Sequence, residues 1–298
     1  MSWRILYIEE TEKLSLYLDN IKIHFDQEEL LVPLSDVHSV ILDNYKTTLS
    51  VHLINALSKN NINIVVCGID HLPQSTVIPL FGNHLAPQVL KKQVSWPEDI
   101  KKFIQQKIII HKIDAQYKLL SHIKVNKDIL NKIQRFKEEV SPGDPQNREG
   151  LTAKMYFRQL YGQEFKRFNK DVINAGLNYG YAILRSQITK VLVSKGLHTS
   201  IGFFHRGPNN YFNLSDDFIE PFRPIIDAYV KENLTKEEIF KKEHRLSIIK
   251  QTTKNIYING KSQTIFNAIS IYIDSILKFI ETGNINDVYQ PIINFNEL

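Results

Sequence analysis

Residues 97–120, PEDIKKFIQQKIIIHKIDAQYKLL, decide the fold, because the hydrophobic period of the chain changes inside them and does not change back. Pro97 is followed by Glu98 and Asp99, acids suited to the positive end of a helix. Ile100, Phe103, Ile104, Ile108 and Ile110 to Ile113 then recur at helical spacing, which predicts a long helix running to Leu120 or beyond.

Upstream, from Trp3 to Leu80, the dominant period is two. Leu14, Leu16 and Leu18 alternate, Asp19-Asn20 offers a turn, and Ile21, Ile23 and Phe25 resume the alternation, so a hairpin is expected. Strands are also expected at 29–33, 37–42, 62–67 and 76–80. The exception is 48–60, where Leu49, His52, Leu53, Ala56 and Leu57 sit at helical spacing behind a Thr47 or Thr48 cap. Residues 81–97 carry Gly82, Asn83, Pro87 and Pro97 with little periodicity and read as a linker.

Downstream, helices are expected at 129–140, 148–161, 172–195, 216–232, 236–255 and 263–281. An extended pair, 199–204 and 210–214, is expected around a Gly207-Pro208 turn. The Asn-rich tail from Gly283 is expected to pack loosely. The fold class is therefore α+β: a small N-terminal β-rich domain (1–80), a linker (81–97) and a larger, nearly all-α catalytic domain (98–298).

At 298 residues, 43% hydrophobic and 23% charged, the composition is that of a soluble globular protein. The excess of 37 Lys+Arg over 32 Asp+Glu gives +5, mild support for a polyanionic partner. Cys67 is the sole cysteine, which excludes an intrachain disulfide and a Cys-based zinc site and points to a reducing cytoplasm. No stretch reaches the roughly 18 apolar residues of a membrane span, and MSWRILYIEE has charges inside its apolar run, so neither export nor membrane spanning is expected.

Chemistry concentrates in residues 196–227, GLHTSIGFFHRGPNNYFNLSDDFIEPFRPIID. His205, followed at loop-closing distance by Asp216, Asp217 and Glu220, offers mixed nitrogen and oxygen ligands to a divalent metal. Glu149, heading EGLTAKMYF, is the best candidate for a further carboxylate. A plainer account makes Ser215 a helix cap, with Asp216 and Asp217 answering the helix dipole, and Glu149 a first-turn acid behind an Asn147 cap. The residue pattern leaves the two accounts even. If the acids do share a site, removing one relieves like-charge repulsion, so Glu149→Ala and Glu220→Ala should melt no lower than wild type without metal.

Arg148, Lys154, Arg158 and Arg206 are candidate DNA contacts. Lys154 and Arg158, four apart, form either a phosphate track or a solvated helix face. Phe203, Tyr211 and Phe212 alternate as core residues do. No Gly-x-Ser-x-Gly elbow, P-loop or dinucleotide fingerprint is present.

Through EGLTAKMYF, NAGLNYGYAILRS, GLHTSIGFFHRG and DDFIEPFR, the chain resembles the spacer-acquisition integrase of CRISPR systems, the large nuclease-integrase of the adaptation complex, in its type II form. The resemblance implies a Mg²⁺ or Mn²⁺ ion held by Glu149, His205 and Glu220 as the catalytic set, with Asp217 supporting. It implies joining of double-stranded DNA with 3′-hydroxyl ends to CRISPR repeat DNA by direct phosphoryl transfer. It also implies a homodimer formed through the β-rich domains, bridged by a small ferredoxin-like adaptation protein. Many relatives carry Asp where this chain has Glu220, and Asp-Pro where it has His198-Thr199. The rivals are a metal-dependent nuclease or branched-DNA resolvase without integration, and a non-catalytic DNA-binding scaffold.

Overall fold

The computed structural model describes residues 4–25, 28–79 and 82–297. The expected strand end at Leu80, the linker start at Phe81 and the first residues, Trp3 included, lie outside them. Two compact units are formed: one runs through Leu90 and adds Thr189–Leu197, and the other comprises Lys91–Ile188 and His198–Leu298.

The first unit contains β1 (Arg4–Ile8), β2 (Lys13–Tyr17), β3 (Asn20–Phe25), β4 (Glu28–Pro33), β5 (Val37–Leu42), β6 (Thr48–Leu49), α1 (Val51–Lys59), β7 (Asn63–Cys67) and β8 (Pro73–Val77). One sheet has the order β1-β5-β7-β8, its first three strands parallel and β8 antiparallel. In it every residue of β5, VHSVIL, is buried, as a strand covered on both faces must be. The second sheet is the meander β4-β3-β2, to which β6 adds in parallel. Here the alternation read in the sequence turns Leu14, Ile21, Ile23 and Val32 into one core with Val37, Val40, Leu53 and Leu57. The β2–β3 turn places Leu18 and Asp19 at positive φ, the two-residue form that matches strand twist. The cap of α1 is Ser50, whose side chain accepts from Leu53 N, rather than Thr47 or Thr48.

Within 81–97, expected to be irregular, the chain forms α2 (Ala86–Val94). Pro87 occupies its second position, where a missing N–H costs nothing.

The second unit contains α3 (Glu98–His122), α4 (Lys127–Glu138), α5 (Arg148–Tyr161), α6 (Val172–Ser194, its last turns in the first unit), α7 (Asn213–Ile219), α8 (Arg223–Asn233), α9 (Lys242–Gln251), β9 (Asn255–Ile258), β10 (Lys261–Thr264) and α10 (Ile265–Thr282). The central helix is α3, with Ile104, Ile108, Ile109, Ile113, Leu119 and Leu120 buried, and it packs on α4, α5, α7 and α8. On α6, Gly180 leaves no room for a Cβ: one there would lie 2.4 Å from Ile226 of α8. This close approach fixes α8 against α6.

Four expectations are corrected. The single helix over 216–232 is divided into α7, a 3₁₀ turn at Glu220–Phe222 and α8, with Pro221 and Pro224 at the junctions. The extended pair at 199–204 and 210–214 does not form. Its backbone is held by side chains of α7 instead: Asn213 donates to Ser200 O and Gly207 O, and Asp217 accepts from Phe203 N and His205 N. The helix expected to reach residue 255 stops at Gln251, and a hairpin follows whose Asn259 and Gly260 both take positive φ. The tail packs: Ile292 bridges Tyr257, and Ile293 and Phe295 are buried. Among the described residues, no helix is long and apolar enough to cross a membrane.

Candidate active site

Glu149 is delivered by the N-terminus of α5. Asn147, in the left-handed region, accepts from Gly150 N, and Asp144 accepts from Arg148 N and Glu149 N, so the first turn is capped twice. Glu220 is delivered by the 3₁₀ turn after α7 and is buried. Both carboxylates meet one cation. Lys112, on the central helix α3, lies 2.6 Å from Glu149 Oε1 and 2.6 Å from Glu220 Oε2. Arg223 lies 3.2 Å from Glu220 Oε1.

Burial alone would raise the Glu220 carboxyl, but Arg223 and Lys112 overcome it and hold it at about 2. Burial alone would lower Lys112, but Glu220 and Glu149 raise it above its ordinary value. The Lys112 ammonium and the Glu220 carboxylate are thus charged together.

Asp217 is fully buried in α7, whose N-cap is Phe212. Ser215 is therefore no cap, and Asp217 does more than answer a dipole. Its Oδ1 accepts from His205 N at 3.0 Å and lies 2.7 Å from His205 Nδ1. Burial pushes this carboxyl above its ordinary value, and the three N–H groups that converge on it, counting Phe203 N on Oδ2, reduce that push without cancelling it. Burial pulls the His205 imidazole down, but the Asp217 hydrogen bond and the charges of Asp217, Glu220 and Asp216 leave it above its ordinary value. With Nδ1 engaged, Nε2 is the ring nitrogen left for a ligand. Gly202 is required beside it, because a Cβ there would lie 2.5 Å from His205 O and 2.8 Å from Asp217 Oδ2.

Glu149 and Glu220 are therefore brought onto one point. His205 lies within electrostatic reach of Glu220, but ligand atoms of all three are not within 4.8 Å of one another. Two carboxylates and an imidazole form a donor set of the kind a divalent cation takes, and the two carboxylates already share one cation, the Lys112 ammonium.

Beneath the site, Asp227 of α8 accepts from Tyr156 at 2.7 Å and from Tyr181, and the Arg223 guanidinium lies 4.7 Å from the Tyr181 ring. Burial raises Asp227 to about 6 against the pull of Tyr181 and Tyr156.

The basic candidates divide. Arg148 is tied to Glu139 and Gln146, each at 2.8 Å, and Arg206 to Glu98 at 2.7 Å. Lys154 and Arg158 are exposed on α5. Phe203 is core, stacked on Trp96, whereas Tyr211, expected in the core, is 72% exposed.

Sequence reasoning missed Lys112. Its signal was a single lysine between Ile108–Ile110 and Ile113, within a run too apolar for a solvated helix face.

A model of the family described as CRISPR associated protein Cas1 matches residues 6–260. A CRISPR-associated endonuclease Cas1 of Neisseria meningitidis serogroup C is 35% identical over 230 residues, covering 77% of this chain and 75% of that protein. Among solved structures, a casposase bound to integration product superposes with TM-score 0.74 at 20% identity, over 96% of this chain and 92% of that one. A chain of a Cas6-RT-Cas1–Cas2 complex superposes with TM-score 0.73 at 16% identity, over 95% of this chain and 35% of the larger one. With a fold held in common and a family match across most of its length, the chain belongs to the CRISPR associated protein Cas1 family.

Proposed function

We propose that this chain is a divalent-metal-dependent DNA integrase and endonuclease of CRISPR adaptation, joining the 3′-hydroxyl ends of new spacer DNA to the repeat array by direct phosphoryl transfer. The observation that carries this reading is the convergence of Glu149 and Glu220 on Lys112, beside a histidine whose other nitrogen is fixed by a buried carboxylate. Glu149, His205 and Glu220 would hold the ion, Mg²⁺ or Mn²⁺. When bound, it supplies charge stabilisation to a phosphodiester oxygen during in-line attack.

The chain's own groups do the rest. Asp217 fixes the imidazole's orientation and tautomer. Arg223 and the Asp227–Tyr181 pair hold Glu220 in place from behind. Lys112 balances the two acids, and its charge stays available to a phosphate once a divalent ion takes its share of them. No side chain needs to become a covalent nucleophile. Lys154 and Arg158 offer exposed charge for sequence-tolerant backbone contact.

The same exposed surface logic supports a homodimer through the first unit, since the edge strand β4 presents Leu30 and Leu31 at 61% and 45% exposure. The neighbour solved in a Cas6-RT-Cas1–Cas2 complex supports the small ferredoxin-like adaptation protein as partner. The test is a strand-transfer assay with that partner, a 3′-hydroxyl fragment and a plasmid repeat array. Integration by wild type and its loss in His205→Ala support the reading. Cleavage of branched DNA with no joining favours a resolvase. Absence of metal binding favours a scaffold.

A further inference from the structure

Glu9, Asp43 and His71 of the first unit each place a ligand atom within 4.8 Å of the other two, and among the described residues no other trio of His, Cys, Asp and Glu does so. They share no residue with the proposed catalytic set. Sheet topology brings them together. Strands β1, β5 and β7 run parallel, so their carboxyl ends open at the same edge of the sheet. Glu9 directly follows β1, Asp43 directly follows β5, and His71 sits in the turn that follows β7. The carboxyl ends of parallel strands are where such sheets seat ligands.

The trio is graded in depth. The Asp43 side chain is fully buried, Glu9 is half-buried, and the His71 side chain is 47% exposed. An ion would therefore meet the imidazole first and the deep carboxylate last. Asp43 is already oriented, with the Tyr7 hydroxyl donating to Oδ2 and His71 Nδ1 2.9 Å from Oδ1. The β7–β8 turn that carries His71 is itself closed, Gly68 N donating to Leu72 O and His71 N to Gly68 O, each at 2.9 Å. Two carboxylates and an imidazole arriving from separate chain segments form a mixed nitrogen and oxygen donor set, which a borderline transition ion accepts readily.

We propose that Glu9, Asp43 and His71 form a second divalent-cation site, taking Zn²⁺ or Mn²⁺, that pins the β7–β8 turn to the ends of β1 and β5. It is a structural site, independent of the catalytic reading. Calorimetric titration of the chelator-treated full-length chain with Zn²⁺ tests it, using Glu149→Ala to silence the other site. Asn at position 71 accepts the left-handed backbone of His71, φ 62°, so His71→Asn removes the imidazole without straining the turn.

Glu149→Ala should still bind one Zn²⁺ per chain and gain melting temperature from it. Adding His71→Asn should remove both the binding and the gain, and adding Glu9→Gln instead should weaken affinity about tenfold or more. No Zn²⁺ binding by Glu149→Ala, or binding that neither added substitution alters, overturns the proposal. Failure of the catalytic reading registers separately, as equal stoichiometry in wild type and Glu149→Ala.

Discussion

In the first unit the core cluster is a continuous set of aliphatic side chains, from Ile8 through Leu14, Val37 and Leu53 to Ile64. At comparable depth, the second unit holds Lys112, Asp217, Glu220 and Asp227. Aliphatic burial needs no partner, so the first core is a matter of volume and pattern. Each buried charge in the second unit carries a desolvation cost that named partners must offset, and a cost of that kind is retained where chemistry needs it. Away from the buried Asp43, the first unit should respond to lost volume, and the candidate site of the second to lost charge.

The largest expected effect falls on the charged side. Glu220→Ala leaves the buried Lys112 and the part-buried Arg223 without their shared carboxylate, and should lower stability by about 3 to 5 kcal/mol. In the same variant, strand transfer should fall by on the order of a hundredfold or more in material still folded. Equilibrium unfolding and single-turnover strand transfer check the two. A variant as stable as wild type would break the contrast. The structure reverses the expectation from sequence that removing one acid relieves repulsion, because Lys112 already sits between Glu149 and Glu220.

On the apolar side, Leu53→Ala, at a fully buried position, should cost about 2 to 5 kcal/mol. Strand transfer per folded molecule should be unchanged. Selective loss of activity with little loss of stability would contradict the division of roles.

The pH response sharpens the comparison. Burial holds His38 in the first unit and His111 in the second at about 3, against an ordinary 6.5. Between these values the unfolded chain binds more protons, so stability should fall as pH drops, by about 2 kcal/mol per histidine by pH 5. Asp227, raised by burial to about 6 from 3.8, opposes this. Its folded form keeps the proton over that interval, so its own contribution grows as pH falls. Denaturant unfolding at pH 7 and 5 should therefore show a shallower slope in His111→Asn and a steeper one in Asp227→Asn. Slopes identical to wild type in both would contradict the assignment.

The smallest effect is expected at the surface. Replacing Lys154 and Arg158 together by alanine should weaken DNA binding about tenfold and reduce the salt slope by about two. Metal uptake should stay the same. An unchanged salt slope would place the phosphate track elsewhere.

The contrast also explains what was legible in the sequence. The sequence pattern reads β5 and α5 to the residue, Val37–Leu42 and Arg148–Tyr161, because a short apolar run and helical spacing are both written in apolar residues. It misses α2, where Pro87 reads as a breaker although proline is tolerated in a first helical turn. It also missed the β9–β10 hairpin, whose Asn259-Gly260 pair was a readable turn signal. The extended pair after Thr199 was misread because backbone partners supplied by side chains such as Asn213 and Asp217 leave no periodic trace. For the site, Glu149, His205, Asp217 and Glu220 were candidates from local pattern and from resemblance. Lys112 shows in the sequence only as a lone lysine in an apolar run, with no sign of its partners. It stands 37 residues from Glu149, and only the packing of α3 against α5 and the turn before α8 gives it a task.

Glu149, His205 and Glu220 are proposed to serve one divalent ion in phosphoryl transfer. The most direct test is strand transfer of a 3′-hydroxyl fragment into a plasmid repeat array by Glu149→Ala, with the small partner protein, at metal concentrations saturating wild type and a temperature at which both proteins are folded. The account predicts joined product reduced by on the order of a hundredfold or more. Robust integration by that variant would contradict it.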